Sequence, residues 1–236
     1  LNTNTVSKHL TILKSFFNWC RMMRYTQNEE YKLFKVTHAP EKSNIILTKD
    51  DIKKIKETEY KANYLQNAKD LLILSILTGL RYSDYIQINE AHLKTGDDGS
   101  KYLSIRQQKT DGNVEIPLNK ESERIVRDMI AGKVRRISNT NMNLYAKEVC
   151  KLAGIDELTE NHYYKGNIKK TSLVPKYSLV CSHTGRRTFA TNMILGGAHY
   201  SSIMEITGHK DRRTFDNYVN IPKEKSKELI REILGE

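Results

Sequence analysis

Apolar residues recur at helical spacing through the first stretch of the chain: Val6, Leu10, Leu13, Phe16, Phe17, Cys20 and Met23, with Lys8, Lys14, Arg21 and Arg24 between them. This period of about 3.6 residues predicts an amphipathic helix over residues 4–24. Such a stripe needs a partner, and the short helix expected around Glu29–Phe34 offers little cover, so residues 1–40 read as the end of a helical domain. His38 to Asn44 contains Pro40 and reads as a linker. A second domain then opens at Thr48, an expected N-cap, with Asp50 and Asp51 in the first turn, where the helix dipole favours acids. The run Leu71-Leu72-Ile73-Leu74-Ser75-Ile76-Leu77 is apolar on every side and predicts a buried helix over 67–77, closed by Thr78-Gly79.

Beyond it the period changes from helical to two. Residues 92–95, 102–107 and 114–118 read as short strands, separated by Gly96-Asp97-Asp98-Gly99 and by Thr110-Asp111-Gly112-Asn113. Asp-Gly between alternating apolar residues is a strong hairpin signal, so a small antiparallel meander is expected. Residues 119–153 return to helical spacing and predict two helices, the second ending at Gly154. Residues 160–180 mix Lys165, Lys169, Lys170 and Lys176 with Tyr163, Tyr164 and Tyr177; Gly166-Asn167 could turn a hairpin there. That tract suits either a phosphate-backbone contact or a solvated loop. Ser182 is the expected N-cap of a helix running to Leu195, ended by Gly196-Gly197. Ile203 to Ile206 reads as a helical turn closed by Gly208, Asp211 as the cap of a helix carrying Tyr218, and Lys223–Leu234 as a short amphipathic helix that must dock to be stable. The pattern as a whole is mainly α with a small antiparallel β-sheet (α+β).

Composition narrows the class. Of the 236 residues, 38% are hydrophobic and 28% charged, which sets the chain apart from disordered sequences. No apolar run approaches the roughly 20 residues that span a bilayer. The first residue is Leu and no signal peptide is visible, so a cytosolic protein beginning mid-chain is expected. Cys20, Cys150 and Cys181 are odd in number and far apart, which gives neither a disulfide framework nor metal-ligand spacing; core packing is the expectation for all three. The net charge of +11 is uneven. Residues 1–46 hold seven Lys/Arg against three Asp/Glu, residues 161–236 thirteen against seven, and the middle nineteen against eighteen. Two basic ends around a neutral middle point to a polyanion, nucleic acid first.

Several chemistry-bearing residues stand at the junctions of these elements. Arg81 directly follows the buried helix, so it is either paired and buried or aimed into a site. Asp84, three residues on, could lock its guanidinium fork. Lys109 sits at the lip of the second hairpin, where a lysine is an edge gatekeeper unless it serves a site. His183 and Arg186 share one face at a helix N-terminus, where free N–H groups and the dipole favour phosphate. His209 follows Gly208, and Tyr218 lies nine residues later; the two meet only if the chain bends at Gly208 and Asp211. Together they could run phosphoryl transfer. Two arginines would grip a phosphodiester, a phenol made acidic by cations would attack, a lysine would protonate the leaving alkoxide, and histidines would move protons.

Thr78-Gly79-Leu80-Arg81-Tyr82-Ser83-Asp84, then Ser182-His183-Thr184-Gly185-Arg186-Arg187-Thr188-Phe189-Ala190-Thr191, then Thr207-Gly208-His209 with Tyr218 resembles the tyrosine recombinase family over roughly residues 47–236. It is most similar to mobile-element integrases of Bacteroides-type bacteria. The resemblance implies a helical core-binding domain ending in residues 1–40, a linker at 41–47 and a catalytic domain over 48–236, clamping double-stranded DNA. It implies that Arg81 and Arg186 bind the scissile phosphate with Asp84 in support, and that Lys109 is the general acid toward the 5′ oxygen, with Lys101 in the same meander as the other candidate. His183 would assist proton transfer, His209 would hydrogen-bond the phosphate, and Tyr218 would become a 3′-phosphotyrosine. It implies no cofactor and no metal, no membrane partner, a bacterial cytoplasmic setting on the nucleoid, and a DNA-bound homo-tetramer. In that tetramer the C-terminal helix docks on a neighbour or on its own chain. Gly185 departs from the Leu that many members carry. A type IB topoisomerase and a non-catalytic DNA-binding module are the competing readings.

Overall fold

The computed structural model describes residues 3–37, 45–165, 168–216 and 219. In chain order the elements are α1 (Thr3–Met22), a 3-10 turn (Glu30–Lys32), α2 (Lys49–Glu57), α3 (Asn63–Thr78), α4 (Tyr82–Tyr85) and a second 3-10 turn (Glu90–His92). There follow β1 (Leu93–Thr95), β2 (Lys101–Arg106), β3 (Asn113–Pro117), α5 (Lys120–Ile130), α6 (Asn139–Leu152), β4 (Leu158–Lys165) and β5 (Ile168–Pro175). A third 3-10 turn (Lys176–Leu179), α7 (Ser182–Leu195), α8 (Tyr200–Thr207) and α9 (Arg212–Asp216) complete the described chain. The fold is mainly helical with small sheets, as the pattern predicts. The chain forms two compact units: the described residues of Leu1–Ser43 with Leu158–Val174, and those of Asn44–Glu157 with Pro175–Glu236. The apolar and polar pattern did not predict that β4 and β5 group with the N-terminal residues.

In the first unit α1 forms where its period predicts. Its N-terminus is tied down by Thr3 Oγ1, which donates to Tyr164 O at 3.1 Å, and Ser7 is its buried side chain. The apolar stripe is largely exposed, Leu13 to 48% and Phe16 to 53%. The segment expected as a short helix is only the 3-10 turn, and its Tyr31 stacks on Phe17 with ring centroids 5.4 Å apart. The Gly166-Asn167 turn and the Lys223–Leu234 helix lie outside the described residues.

The second unit is built around α3, which starts four residues before the expected boundary. Leu71, Leu72, Ile73 and Leu74 are all buried, and α5, α6 and α7 pack against this helix. Thr48 caps α2 as expected: the Asp51 N–H donates to its Oγ1 at 3.1 Å and its own N–H to Asp51 Oδ2 at 2.8 Å. The three-stranded sheet has the order β1-β2-β3, antiparallel throughout, with Leu103 opposite Ile116 and Ile105 opposite Val114 on the buried face. Its second turn closes through the Gln107 N–H to Gly112 O, with Asp111 in the left-handed region at φ 55°. A smaller apolar cluster of Phe189, Ala190, Ile203 and Phe215 joins α7, α8 and α9. Among the described residues no helix is long and apolar enough to cross a membrane.

Two local expectations are corrected. Lys176 is not part of a solvated or phosphate-facing tract: it is 5% exposed and its Nζ meets Asp51 Oδ2 at 2.8 Å and Glu157 Oε1 at 2.7 Å. Of the three cysteines only Cys150 is fully buried. Burial pushes its thiol up to about 12. Cys181 instead sits half-exposed at the head of α7.

Candidate active site

Three turns converge on one site, and glycine sets the geometry of two of them. α3 ends at Gly79, whose φ of 67° reverses the chain so that Arg81 stands at the head of α4. A Cβ on Gly79 would fall 2.4 Å from Phe189 Cδ1, so the turn also needs glycine to lie against α7. α8 ends at Gly208 with φ 64°, which turns His209 inward. The third turn joins β2 to β3 and carries Lys109. α7 supplies His183 and Arg186, but its N-cap is Cys181. Ser182 is the first helical residue, because Thr184 Oγ1 accepts from the Cys181 N–H at 3.0 Å and fixes the boundary one residue earlier than expected.

Gly185, the departure from the family's Leu, has a steric cause. A Cβ there would lie 2.6 Å from Ser75 Oγ and 3.2 Å from Ile76 N, so α7 touches α3 at this point through bare backbone. That approach lets Arg186 reach the end of α3. Arg186 is wholly buried. Its Nη1 donates to Gly79 O at 2.7 Å and its Nη2 to Thr207 O. The carbonyls of two helix ends, each at the negative end of a dipole, thus hold one guanidinium.

Arg81 is 8% exposed. Its Nη1 donates to Gln107 Oε1 at 2.7 Å. Asp84 does not lock the guanidinium fork as expected: its Oδ2 lies 3.8 Å from Arg81 Nη1, and its Oδ1 accepts from the Gln108 N–H at 3.1 Å. The buried carboxylate therefore compensates the Arg81 charge and tethers the Lys109 turn.

His209 is buried within 3.2 Å of Arg186 Nη2, and its Nδ1 lies 2.8 Å from Thr207 Oγ1. The Thr207 hydroxyl gives its proton to Ile203 O at 2.6 Å, so it accepts from the imidazole and assigns the His209 proton to Nδ1. Burial, then the charges of Arg186, Arg81 and Lys109, hold His209 down to about 3, which keeps it neutral near pH 7. His183 stands on the first turn of α7 with part of its surface open to solvent and part of its ring covered by protein. The protein packed around its ring, then Arg187, Arg186, Arg81 and Lys109, hold it below the usual histidine range. Lys109 is exposed in its turn, and its charge acts on both histidines. Lys101 is directed elsewhere, its Nζ bonded to Thr95 Oγ1.

The structure thus brings together Arg81, Lys109, His183, Arg186 and His209, with Asp84 behind them. Tyr218 lies outside the described residues. The bend expected before it is present, in the left-handed Gly208 and in Asp211, whose carboxylate caps α9 through the Thr214 N–H at 2.8 Å. Sequence reasoning missed Gln107 and Thr207. Gln107 had a readable signal: it extends the alternation Leu103, Ile105, Gln107 along the core-facing side of β2, where a polar residue needs a reason. Among the described residues no group of three or more His, Cys, Asp and Glu could hold a metal ion. What the site offers is dense, fixed positive charge around neutral imidazoles, an arrangement suited to an anion.

Residues 46–225 match the family model described as the phage integrase family. The chain belongs to the phage integrase family. This family member is 24% identical over 237 residues to a tyrosine recombinase XerD of Oceanobacillus iheyensis, covering 98% of this chain and 75% of that protein. Its fold matches a lambda integrase dimer bound to a core site with a TM-score of 0.67 at 15% identity, over 92% of this chain and 74% of that one. It matches a Tn1549 transposon integrase in complex with a circular-intermediate DNA with a TM-score of 0.63 at 15% identity, over 99% and 80%. At 15% identity these two likenesses are ones of fold.

Proposed function

We propose that this phage integrase family member is a site-specific DNA recombinase that cuts and rejoins duplex DNA through a phosphotyrosyl link. The observation that carries the reading is the pair of buried guanidinium groups, Arg81 and Arg186, beside neutral His209 and within the field of Lys109. The Tyr218 phenol gives its proton to the neutral imidazole of His183, and its oxygen bonds to the scissile phosphorus. The P–O5′ bond breaks, and the Lys109 ammonium gives a proton to the leaving 5′ oxygen. The two arginines hold the non-bridging oxygens, where charge grows in the transition state, and neutral His209 accepts from Arg186 Nη2 and orients that guanidinium. A phenol pKa of about 10 explains why the attack needs so many cations. Religation reverses the step, so no nucleotide, cofactor or metal is required.

Residues 1–40 would end a core-binding domain, 41–47 would link it, and 48–236 would form the catalytic domain, the two clamping duplex DNA. The active form would be a DNA-bound homo-tetramer with exchange of the C-terminal helix. The protein would act on the nucleoid in the cytoplasm of a Bacteroides-type bacterium, integrating or excising a mobile element.

A duplex nicked near the cut site, bearing a sequence selected from a random library, tests the chemistry. Such a substrate should trap a covalent adduct that survives a denaturing gel, absent from Tyr218→Phe. An adduct that persists in the phenylalanine variant would refute the nucleophile; no adduct with any selected duplex would refute the activity.

A further inference from the structure

Gln107 has no role in the chemistry just described, yet it is 1% exposed and lies between the groups that do. Its Oε1 accepts from Arg81 Nη1 at 2.7 Å and from Thr110 Oγ1 at 2.8 Å. Its Nε2 donates to Thr207 O at 3.2 Å, the carbonyl that also accepts from Arg186 Nη2. Two donors on one atom and a carbonyl on the other fix which end of the carboxamide is oxygen. One side chain and one carbonyl therefore connect the two guanidinium groups. The carboxamide rests on the left-handed Gly208, where a Cβ would fall 2.0 Å from Oε1, so the space is kept open for it.

The same side chain holds the lysine turn. Lys109 lies between Gln107 and Thr110, whose side chains meet at Oε1, and the Gln108 N–H is bonded to Asp84. The hairpin tip is thus anchored to the Arg81 region on both sides of Lys109. Any tilt that carries Lys109 away must stretch the chain Thr110–Gln107–Arg81. We propose that Gln107 is a positioning residue that keeps the Lys109 turn in register with the Arg81–Arg186 clamp, so that the acid and the phosphate ligands act on one phosphodiester. The proposal rests on the recombinase reading above.

A duplex with sulfur in place of the bridging 5′ oxygen separates this role from a merely structural one. The thiolate leaves without a proton, so a defect that acts through Lys109 disappears, whereas a defect in the arginine clamp remains. Gln107→Met keeps the length and removes the polar atoms. It should lower first-strand cleavage of the oxygen duplex about 100-fold, the scale expected for a misplaced general acid. It should stay within about threefold of wild type on the sulfur duplex, because no proton transfer is then at stake, and it should bind both duplexes like wild type. Thr110→Val should show the same pattern more weakly, and carries the test alone if Gln107→Met fails to fold. Lys109→Ala sets the benchmark for full rescue. Equal loss on both duplexes, or wild-type cleavage of the oxygen duplex, would overturn the proposal. Wild-type protein that cleaves neither duplex would instead sink the recombinase reading on which it depends.

Discussion

His209 shows how much a single side chain can carry. Held down to about 3 by burial and by Arg186, Arg81 and Lys109, it differs from an unfolded histidine at roughly 6.5. The unfolded chain therefore binds a proton that the folded chain refuses anywhere between those two values. Folding stability is complete above pH 6.5 on this account and falls as pH drops from 6.5 toward 3. Between pH 7 and 5, where most carboxylates are still ionised, His209 alone should remove about 2 kcal/mol. Urea unfolding of wild type and His209→Gln at pH 7, 6 and 5 checks this: the wild-type curve should fall more steeply by about that amount. Parallel curves would mean that His209 is charged in the folded protein. None of this was legible in the sequence. Gly208-His209 announced a turn, but the depressed pKa comes from cations 23, 100 and 128 positions away in the chain, brought together only by the fold.

At the scale of elements, local rules and long-range contacts part company. The α1 period, the Thr48 cap, the buried α3 and the Asp-Gly hairpin are each decided within a few residues, and each is found close to where the pattern placed it. What the pattern misplaced depends on distant partners. Ser182 loses the cap position to Cys181 through Thr184. Lys176 leaves the basic tract because it completes the head of α2, 125 positions earlier in the chain, through Asp51. Burial works against its charge, but the bonds from Asp51 and Glu157 outweigh it, so the ammonium's pKa stands above its ordinary value. Removing one partner of a buried pair leaves the other uncompensated. Lys176→Met should therefore lower unfolding free energy by about 3–5 kcal/mol, measured by urea denaturation. A loss below 1 kcal/mol would show that the Asp51 carboxylate is satisfied by the Thr48 N–H alone.

For the whole molecule, binding and chemistry draw on different charges. Thirty-nine Lys and Arg residues give a net +11, and attraction to a duplex sums over the exposed ones through release of counterions. Arg186 has no exposed surface and is held by two carbonyls, so it adds little to that sum beyond its unit charge. Arg186→Lys keeps the net charge of the chain but replaces the planar fork with a point charge that cannot span Gly79 O, Thr207 O and a phosphate oxygen together. Cleavage should fall by at least about 100-fold, the scale of losing a preorganised donor in a transition-state site. Duplex affinity at 100 mM salt and the slope of log affinity against log salt should stay as in wild type. Fluorescence anisotropy titrations between 50 and 200 mM salt, paired with the covalent-adduct assay, read the two quantities separately. If affinity falls along with cleavage, Arg186 holds up the DNA-binding surface itself, and the division between a diffuse electrostatic grip and a buried reactive clamp does not hold for this chain.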